Sequence, residues 1–114
     1  MITKELISFE DFMKASNKLD IRIGQVVSAE RVPKSTKMLK LQVIFGEAEE
    51  DELTVVTNIG DKFQPDDLLG LTFPFVVNLT PSKIMGIMSE AMIVVNHFSD
   101  DEIYLDNRIG ASLL

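Results

Sequence analysis

The amino-acid sequence predicts an all-β protein, a five-stranded barrel with a short N-terminal helix and a C-terminal hairpin and tail extension. Three observations favour this fold class. Apolar and polar residues alternate at strand period, turn residues separate the alternating segments, and 114 residues with 46% hydrophobic content suffice for one core. We therefore expect a single domain over 1–114, with the helix in 1–17, the barrel in 18–98 and the extension in 99–114.

The first predicted element is an amphipathic helix that begins after Ser8 and ends at about Asn17. Ser8 is a favourable N-cap, and acidic residues follow it in the first turn, where the helix dipole stabilises them. The helix has an apolar face, formed by Phe9, Phe12 and Met13. The tail is also apolar, at Ile109, Leu113 and Leu114. Either a twofold interface covers both, which predicts a homodimer, or they close the ends of their own barrel.

Two alternating strands follow the helix. The first covers 19–32, where Gly24 interrupts the pattern and predicts a β-bulge at a barrel corner. Pro33 ends this strand, because proline has no N–H to donate to a neighbouring strand. The second strand covers 38–45 and has one apolar and one polar face, which indicates that it is half-buried.

The remaining elements are shorter and are separated by turn residues. In order they are an acidic hairpin tip (47–52), the third strand (53–57), a helical turn (65–70), the fourth strand (71–78), the fifth strand (91–98) and a final hairpin (99–105). Pro74 predicts an edge position or a bulge for the fourth strand. Five short strands with a small helix between the third and fourth predict the partly open barrel of the oligonucleotide/oligosaccharide-binding fold (OB fold).

Charge is distributed unevenly along the chain. The net charge is -7, yet 14–40 holds seven basic residues against two acidic ones, whereas 41–114 holds three against thirteen. A basic patch on an acidic body would orient an approaching polyanion and keep it off the remaining surface. The plainer interpretation is that these lysines only keep strand edges soluble.

Composition excludes several function classes. The chain has no cysteine, so disulfides, thiolate metal sites and thiol catalysis are excluded. It has no apolar run of the roughly 20 residues that a membrane span requires, and we expect a cytoplasmic protein without a membrane partner. The acidic run lacks the spacing of a calcium loop, and we expect no metal and no cofactor. Because no nucleophile has a nearby base, we expect a protein that is not an enzyme.

The segment 78–92 is the strongest candidate for a binding loop. It places polar residues between two apolar strands that hold both of its ends. Asn78, Lys83 and Ser89 are the residues that it would present to a ligand. The alternative is that Asn78 closes the turn with its side chain and that Ser89 caps the backbone of its own loop.

Several segments together resemble the tRNA-binding domain family. They are LDIRIG at 19–24, KMLKLQV at 37–43, PDDLLG at 65–70, NLTPSKIMG at 78–86 and SEAM at 89–92. The family includes stand-alone dimeric proteins, the C-terminal domain of methionyl-tRNA synthetases and export-related, chaperone-like members. The resemblance implies binding to the outer corner of tRNA by shape and backbone, as a homodimer or as a trans-acting appendage of an aminoacyl-tRNA synthetase.

The resemblance also implies which residues bind RNA. Lysines would meet phosphates, and Met92 would give a base or ribose an apolar surface. The implied RNA-binding residues are Lys37, Lys40, Asn78, Lys83, Ser89 and Met92. The chain departs from the family at Thr80, Ser82 and Met85, where basic residues are usual, and at Ala91, where glycine is usual. These departures favour an alternative function, a protein-interaction or chaperone-like dimer with weakened RNA binding.

Overall fold

The computed structural model describes residues 3–48, 51–60, 63–94, 97–98 and 103–104. One helix, α1 (Phe9–Ser16), precedes the strands, and a 3₁₀ turn (Pro65–Leu68) separates the third strand from the fourth. The strands are β1 (Ile21–Arg31), β2 (Leu39–Ile44), β3 (Glu52–Thr57), β4 (Thr72–Val76), β5 (Ser82–Ile84), β6 (Ile87–Ser89), β7 (Met92–Ile93), β8 (His97–Phe98) and β9 (Ile103–Tyr104).

Five strands form one antiparallel sheet in the order β3-β2-β1-β4-β7, and this sheet curls into a nearly closed barrel. The predicted all-β, OB-like fold is therefore confirmed. The predicted fifth strand is divided, because β7 joins the sheet whereas β8 pairs with β9 in a separate hairpin. A further hairpin, β5–β6, lies within the predicted binding loop and was not predicted.

The predicted helix is confirmed. Ser8 has extended backbone, and its hydroxyl oxygen accepts a hydrogen bond from the Asp11 N–H at 3.0 Å. No residue of α1 is buried. The helix therefore leaves its apolar face uncovered by the described part of the chain.

The bulge predicted at Gly24 is wrong. The register of β1 against β2 shifts between Val26 and Ser28, three residues further on, whereas Gly24 pairs regularly with Phe73. Gly24 is needed for close packing instead. A Cβ atom there would lie 2.5 Å from Val43 Cγ1, which is shorter than the closest approach of two nonbonded carbon atoms.

The edge or bulge predicted from Pro74 is also wrong. Its strand, β4, pairs regularly with β1 on one side and with β7 on the other. The Pro74 carbonyl accepts a hydrogen bond from the Val94 N–H at 2.9 Å, just beyond the end of β7. The Pro74 nitrogen faces the β7 side of β4, and the pairing between these two strands ends there. The N–H that proline lacks is therefore not needed by any residue of β7.

Apolar side chains of all five sheet strands fill the barrel. The largest fully buried residues are Phe75, Leu39, Leu41, Leu68, Val26, Val43 and Val55. Phe45 packs edge-to-face against Phe75, with ring centroids 5.5 Å apart. The other side of β1 is different, since Ile21 and Ile23 expose 47% and 65% of their surface. Only one face of β1 therefore belongs to the core.

Candidate nucleic-acid interface

A groove of about 570 Å³ opens where β3, the β5–β6 hairpin and β7 approach one another. We call it the β3–β7 groove. Its lining residues all carry uncharged side chains: Met38, Val56, Thr57, Asn58, Ile59, Leu79, Thr80, Ser82, Ile84, Ser89, Ala91, Met92 and Ile93. The groove thus combines an apolar floor with hydroxyl and amide groups near its surface.

Side chains close the barrel along the free edge of β3. The Glu90 N–H donates to the Thr54 carbonyl at 2.8 Å, and the Glu90 carboxylate accepts from the Thr54 N–H at 2.8 Å. The Ser89 hydroxyl oxygen accepts from the Val56 N–H at 3.0 Å. We call these three contacts the closure bonds. They satisfy two β3 N–H groups that a regular neighbouring strand would otherwise have to satisfy.

The sequence suggested that Ser89 presents its hydroxyl to a ligand. In the structure this hydroxyl is instead bonded to the backbone. The residue is buried, and its hydroxyl also donates to the Ala91 carbonyl at 3.4 Å. Ser89 lines the groove, but its hydroxyl is directed at the backbone. Glu90, which was not among the predicted site residues, shares this structural role.

Asn78 has a similar role at the start of the barrel. Its Oδ1 accepts from the Asp20 N–H at 2.9 Å, and its Nδ2 donates to the Lys18 carbonyl at 2.6 Å. The side chain is exposed, but both ends of its amide are already engaged. Asn78 thus ties the end of β4 to the residues that lead into β1.

Arg31 fixes the loop that carries Lys37. Its guanidinium donates to the Thr36 carbonyl at 3.0 Å and to the Gly60 carbonyl at 2.7 Å. The Gly60 N–H donates in turn to the Lys37 carbonyl at 2.6 Å. The loop before β2 is therefore bound to the segment after β3. In the sequence Arg31 is only one member of a basic run, and nothing there marks its hydrogen-bond partners.

The three predicted lysines occupy different surroundings. Lys37 is exposed and precedes Met38, which lines the groove. Lys40 is half-buried on β2, and its ammonium lies 3.6 Å from the Glu30 carboxylate on β1. Lys83 is exposed on β5 between two groove-lining residues, so strand alternation directs it to the other face of the hairpin. Lys37 therefore adjoins the groove, whereas Lys83 lies on the face of the hairpin that does not line it.

Met92 lines the groove and keeps 46% of its surface exposed. Met85 and Met88 are also exposed, but they lie at the tip and on the other face of the β5–β6 hairpin. Met85 has a φ of 49° and Gly86 a φ of 83°, the left-handed pair that a tight two-residue hairpin turn requires. Such a conformation is unfavourable for methionine, so this turn was hard to predict from the sequence.

An exposed ion pair lies beside the Asn78 contacts. The Arg22 side chain donates to the Asp20 carboxylate at 2.8 Å. This hydrogen bond holds the pKa of Asp20 below its ordinary value and raises the pKa of Arg22. The pair belongs to a second, smaller cavity that also includes Asp51.

Among the described residues, no helix is both long and apolar enough to span a membrane. The same residues contain no cluster of three or more histidine, cysteine or carboxylate side chains suited to a metal ion.

Barrel and groove together define an OB-fold binding domain. The model of the putative tRNA binding domain family matches residues 21–106, which is most of the chain. The chain therefore belongs to this family, and the family identified from the sequence is confirmed. The family is defined by a binding domain and not by a catalytic one.

The chain also resembles part of much longer proteins. It is 40% identical over 102 residues to a methionine–tRNA ligase of Methanococcoides burtonii, covering 90% of this chain and 14% of that protein. It is 36% identical over 104 residues to the corresponding ligase of Flavobacterium psychrophilum, covering 91% of this chain and 14% of that protein. The chain thus spans about a seventh of the length of these relatives.

Solved structures that match nearly the full length of the chain include a MetRS-related protein and a chaperone. The MetRS-related protein from Pyrococcus horikoshii is 33% identical with a TM-score of 0.71, covering 96% of this chain and 95% of that one. The chaperone CsaA from Bacillus anthracis is 27% identical with a TM-score of 0.66 and the same coverage of both chains. The chain is thus similar both to a MetRS-related protein and to a chaperone.

Proposed function

We propose that this chain binds tRNA through the β3–β7 groove and the loop that carries Lys37, as a module without catalytic activity of its own. The observation that carries the proposal is the juxtaposition of a fixed basic loop with an uncharged groove, in a member of the tRNA-binding domain family. Phosphates need cations, whereas bases and riboses need apolar surface and neutral polar groups. The loop supplies the cation, and the groove supplies the apolar surface and the neutral polar groups. We also propose that the domain acts in the cytoplasm.

The predicted site residues divide into three roles. Lys37 and Met92 contact the RNA directly, while Asn78 and Ser89 hold the surface in shape through their bonds to the backbone. Lys40 and Lys83 add positive charge beside the site. Because Thr80 and Ser82 are uncharged members of the groove lining, phosphate contacts are few, and we expect binding that is weak at moderate salt.

We further propose that two copies of the chain form a homodimer, which assists an aminoacyl-tRNA synthetase in trans. The α1 face exposes Phe9 at 76% and Phe12 at 50%, and β1 adds the exposed Ile21 and Ile23. An eight-residue helix has only marginal stability without packing partners. The apolar face of α1 therefore needs a surface to pack against. A second copy provides one with identical chemistry.

Light scattering at micromolar concentration tests the dimer. We expect the mass of two chains for the parent and of one chain for a Phe9→Ser, Phe12→Ser double variant. A parent of one-chain mass would contradict the dimer and would favour residues of the same chain as the cover.

Binding of a fluorescently labelled tRNA mixture at low and moderate salt tests the function, with a length-matched single strand as the control. We expect salt-sensitive binding that favours folded tRNA. No binding even at low salt would refute the proposal.

One observation favours a second candidate function, a protein-interaction or chaperone-like domain. Met85, Met88 and Met92 are all exposed, and methionine-rich surfaces adapt to varied apolar partners. The overall net charge of -7 also disfavours polyanions outside the basic region. Binding of an unfolded client protein that survives Lys37→Glu, in a chain that does not bind tRNA, would support this alternative.

A further inference from the structure

Methionine supplies all of the sulfur in this chain. The sequence has six methionines and no cysteine, whose thiolate would otherwise compete for an oxidant. Three of the six, Met85, Met88 and Met92, lie in the segment 78–92, and each exposes about half of its surface. A dissolved oxidant therefore has access to all three thioethers.

The surroundings of these exposed methionines differ. Met92 belongs to the lining of the β3–β7 groove, whose floor includes the buried Val56, Ile59 and Ala91. Met88 lies on the other face of the β5–β6 hairpin, although it is exposed to a similar extent, 48% against 46% for Met92. The same chemical change therefore alters the groove when it occurs at Met92 and leaves the groove unaltered when it occurs at Met88.

Hydrogen peroxide oxidises a thioether in a two-electron step. A lone pair of the methionine sulfur attacks one peroxide oxygen, so that an S–O bond forms while the O–O bond breaks. The sulfur loses two electrons, and the departing oxygen gains them. The hydrogen on the transferred oxygen passes through solvent to the departing hydroxide, which leaves as water. The product is methionine sulfoxide, which a reductase with two thiols converts back, forming a disulfide and releasing the oxygen as water.

A sulfoxide at Met92 opposes the chemistry of the groove. The thioether gives a ligand an adaptable apolar surface, whereas the sulfoxide is polar. Water donates hydrogen bonds to the sulfoxide oxygen in the free protein, and a ligand that packs on Met92 must remove that water. Binding at the groove is therefore weaker when Met92 is oxidised.

We infer that Met92 is a reversible oxidation site that controls binding at the β3–β7 groove. Peroxide converts it to the sulfoxide and weakens tRNA binding, and reduction restores that binding. Oxidation of Met85 and Met88 has no such effect. This inference rests on the proposed function and deepens it by naming a regulation of the same site.

The test treats the parent protein, Met92→Leu and Met88→Leu with hydrogen peroxide under identical conditions. Leucine keeps a similar apolar volume and cannot form a sulfoxide. Mass spectrometry of proteolytic peptides gives the sulfoxide fraction at each methionine. The labelled tRNA mixture is titrated against each protein before oxidation, after oxidation and after treatment with the two methionine sulfoxide reductases, which act on opposite sulfoxide epimers. Met13 is also exposed, but all three proteins contain it, so its oxidation cannot make them differ.

We expect the three reduced proteins to bind tRNA alike. Oxidation should weaken binding by the parent and by Met88→Leu roughly tenfold, because a polar group must then be desolvated. The salt dependence should stay the same, since no charge changes. Oxidised Met92→Leu should keep its reduced affinity, and the reductases should restore the parent. Thermal unfolding before and after oxidation establishes that the fold is intact.

An oxidised parent that binds as tightly as the reduced one, with Met92 converted, would overturn the inference. So would an equal loss of affinity in oxidised Met92→Leu, which would assign the effect to another methionine, and so would a Met92 that resists peroxide while Met88 is converted.

The reduced parent tests the proposed function separately. If it does not bind tRNA, the proposed function falls, and the same oxidation series is measured with the apolar dye anilinonaphthalene sulfonate. Oxidation should then lower dye binding by the parent more than by Met92→Leu. An equal change in both proteins would overturn the inference for the groove itself.

Discussion

Two sets of residues around the β3–β7 groove differ in what their polar atoms do. Asn78, Ser89 and Glu90 direct theirs at the backbone of distant segments, 33 to 60 residues away in the sequence. Lys37 and Met92 expose their side chains to solvent instead. Asn78, Ser89 and Glu90 thus stabilise the binding surface. The side chains of Lys37 and Met92 remain accessible to a ligand.

The closure bonds should give the largest effect on stability. Glu90→Ala leaves the Thr54 N–H without its carboxylate acceptor, and we expect the free energy of unfolding to fall by about 2–3 kcal/mol. Glu90→Gln keeps an acceptor oxygen and should lose less than half as much. Urea unfolding of both variants measures this. Equal stability of parent and Glu90→Ala would show that the carboxylate does not hold the barrel closed.

Lys37→Glu should show the opposite behaviour. We expect stability close to that of the parent, a roughly tenfold loss of tRNA affinity and a shallower salt dependence, because a phosphate contact is replaced by repulsion. Lys83→Glu makes the same change on the other face of the hairpin and should weaken binding less. Fluorescence titration at several salt concentrations separates the two. A larger effect of Lys83→Glu would assign the phosphate contact to the hairpin.

Arg31 connects the two sets, because its bonds position the loop that carries Lys37. Arg31→Lys keeps the charge but loses the forked geometry, so we expect about a threefold weaker tRNA binding with an unchanged salt slope. A merely electrostatic role for Arg31 would leave the affinity unchanged. The measurement is a salt series, with hydrogen exchange of the Gly60 amide as a direct report on the loop.

Asp20 should give the smallest effect. Its pKa is lowered in the folded state by the hydrogen bond from Arg22, so the pair's contribution is complete above the ordinary carboxyl pKa of about 3.9. That contribution is lost as the pH falls through the lower, folded-state value. Unfolding of the parent and Asp20→Asn at pH 6 and pH 3 should therefore differ less at pH 3. A constant difference would show that the pair does not titrate with folding.

Local signals were predicted well because local chemistry decides them. The cap at Ser8 needs only an N–H three residues away, and alternation along β2 needs only a buried side. The predictions at Gly24 and Pro74 were wrong because each residue type occurs in strands for more than one reason. A glycine can mark a bulge or allow close packing, and a proline can mark an edge strand or lie where the pairing of an inner strand ends. Neighbours from other strands decide which use applies, namely Val43 at Gly24 and the end of β7 at Pro74.

The site was predicted in part. The segment 78–92 does border the groove, and Met92 does line it with an exposed side chain. Glu90 and Arg31 were missed, since a carboxylate in a loop and an arginine at a strand end usually face solvent. RNA contact by the six predicted residues stays a prediction. The predicted apolar tail at Ile109, Leu113 and Leu114 lies outside the described residues.

By itself the sequence determined the family, the order of the strands along the chain and the uneven distribution of charge, because all three are read along the chain. Tertiary structure decided which polar side chains are free. A serine or an asparagine carries the same hydrogen-bonding groups wherever it stands, and its partners are set by segments that folding brings alongside. The groove exists only because distant residues satisfy each other's backbone groups, which leaves Lys37 and Met92 available for a ligand.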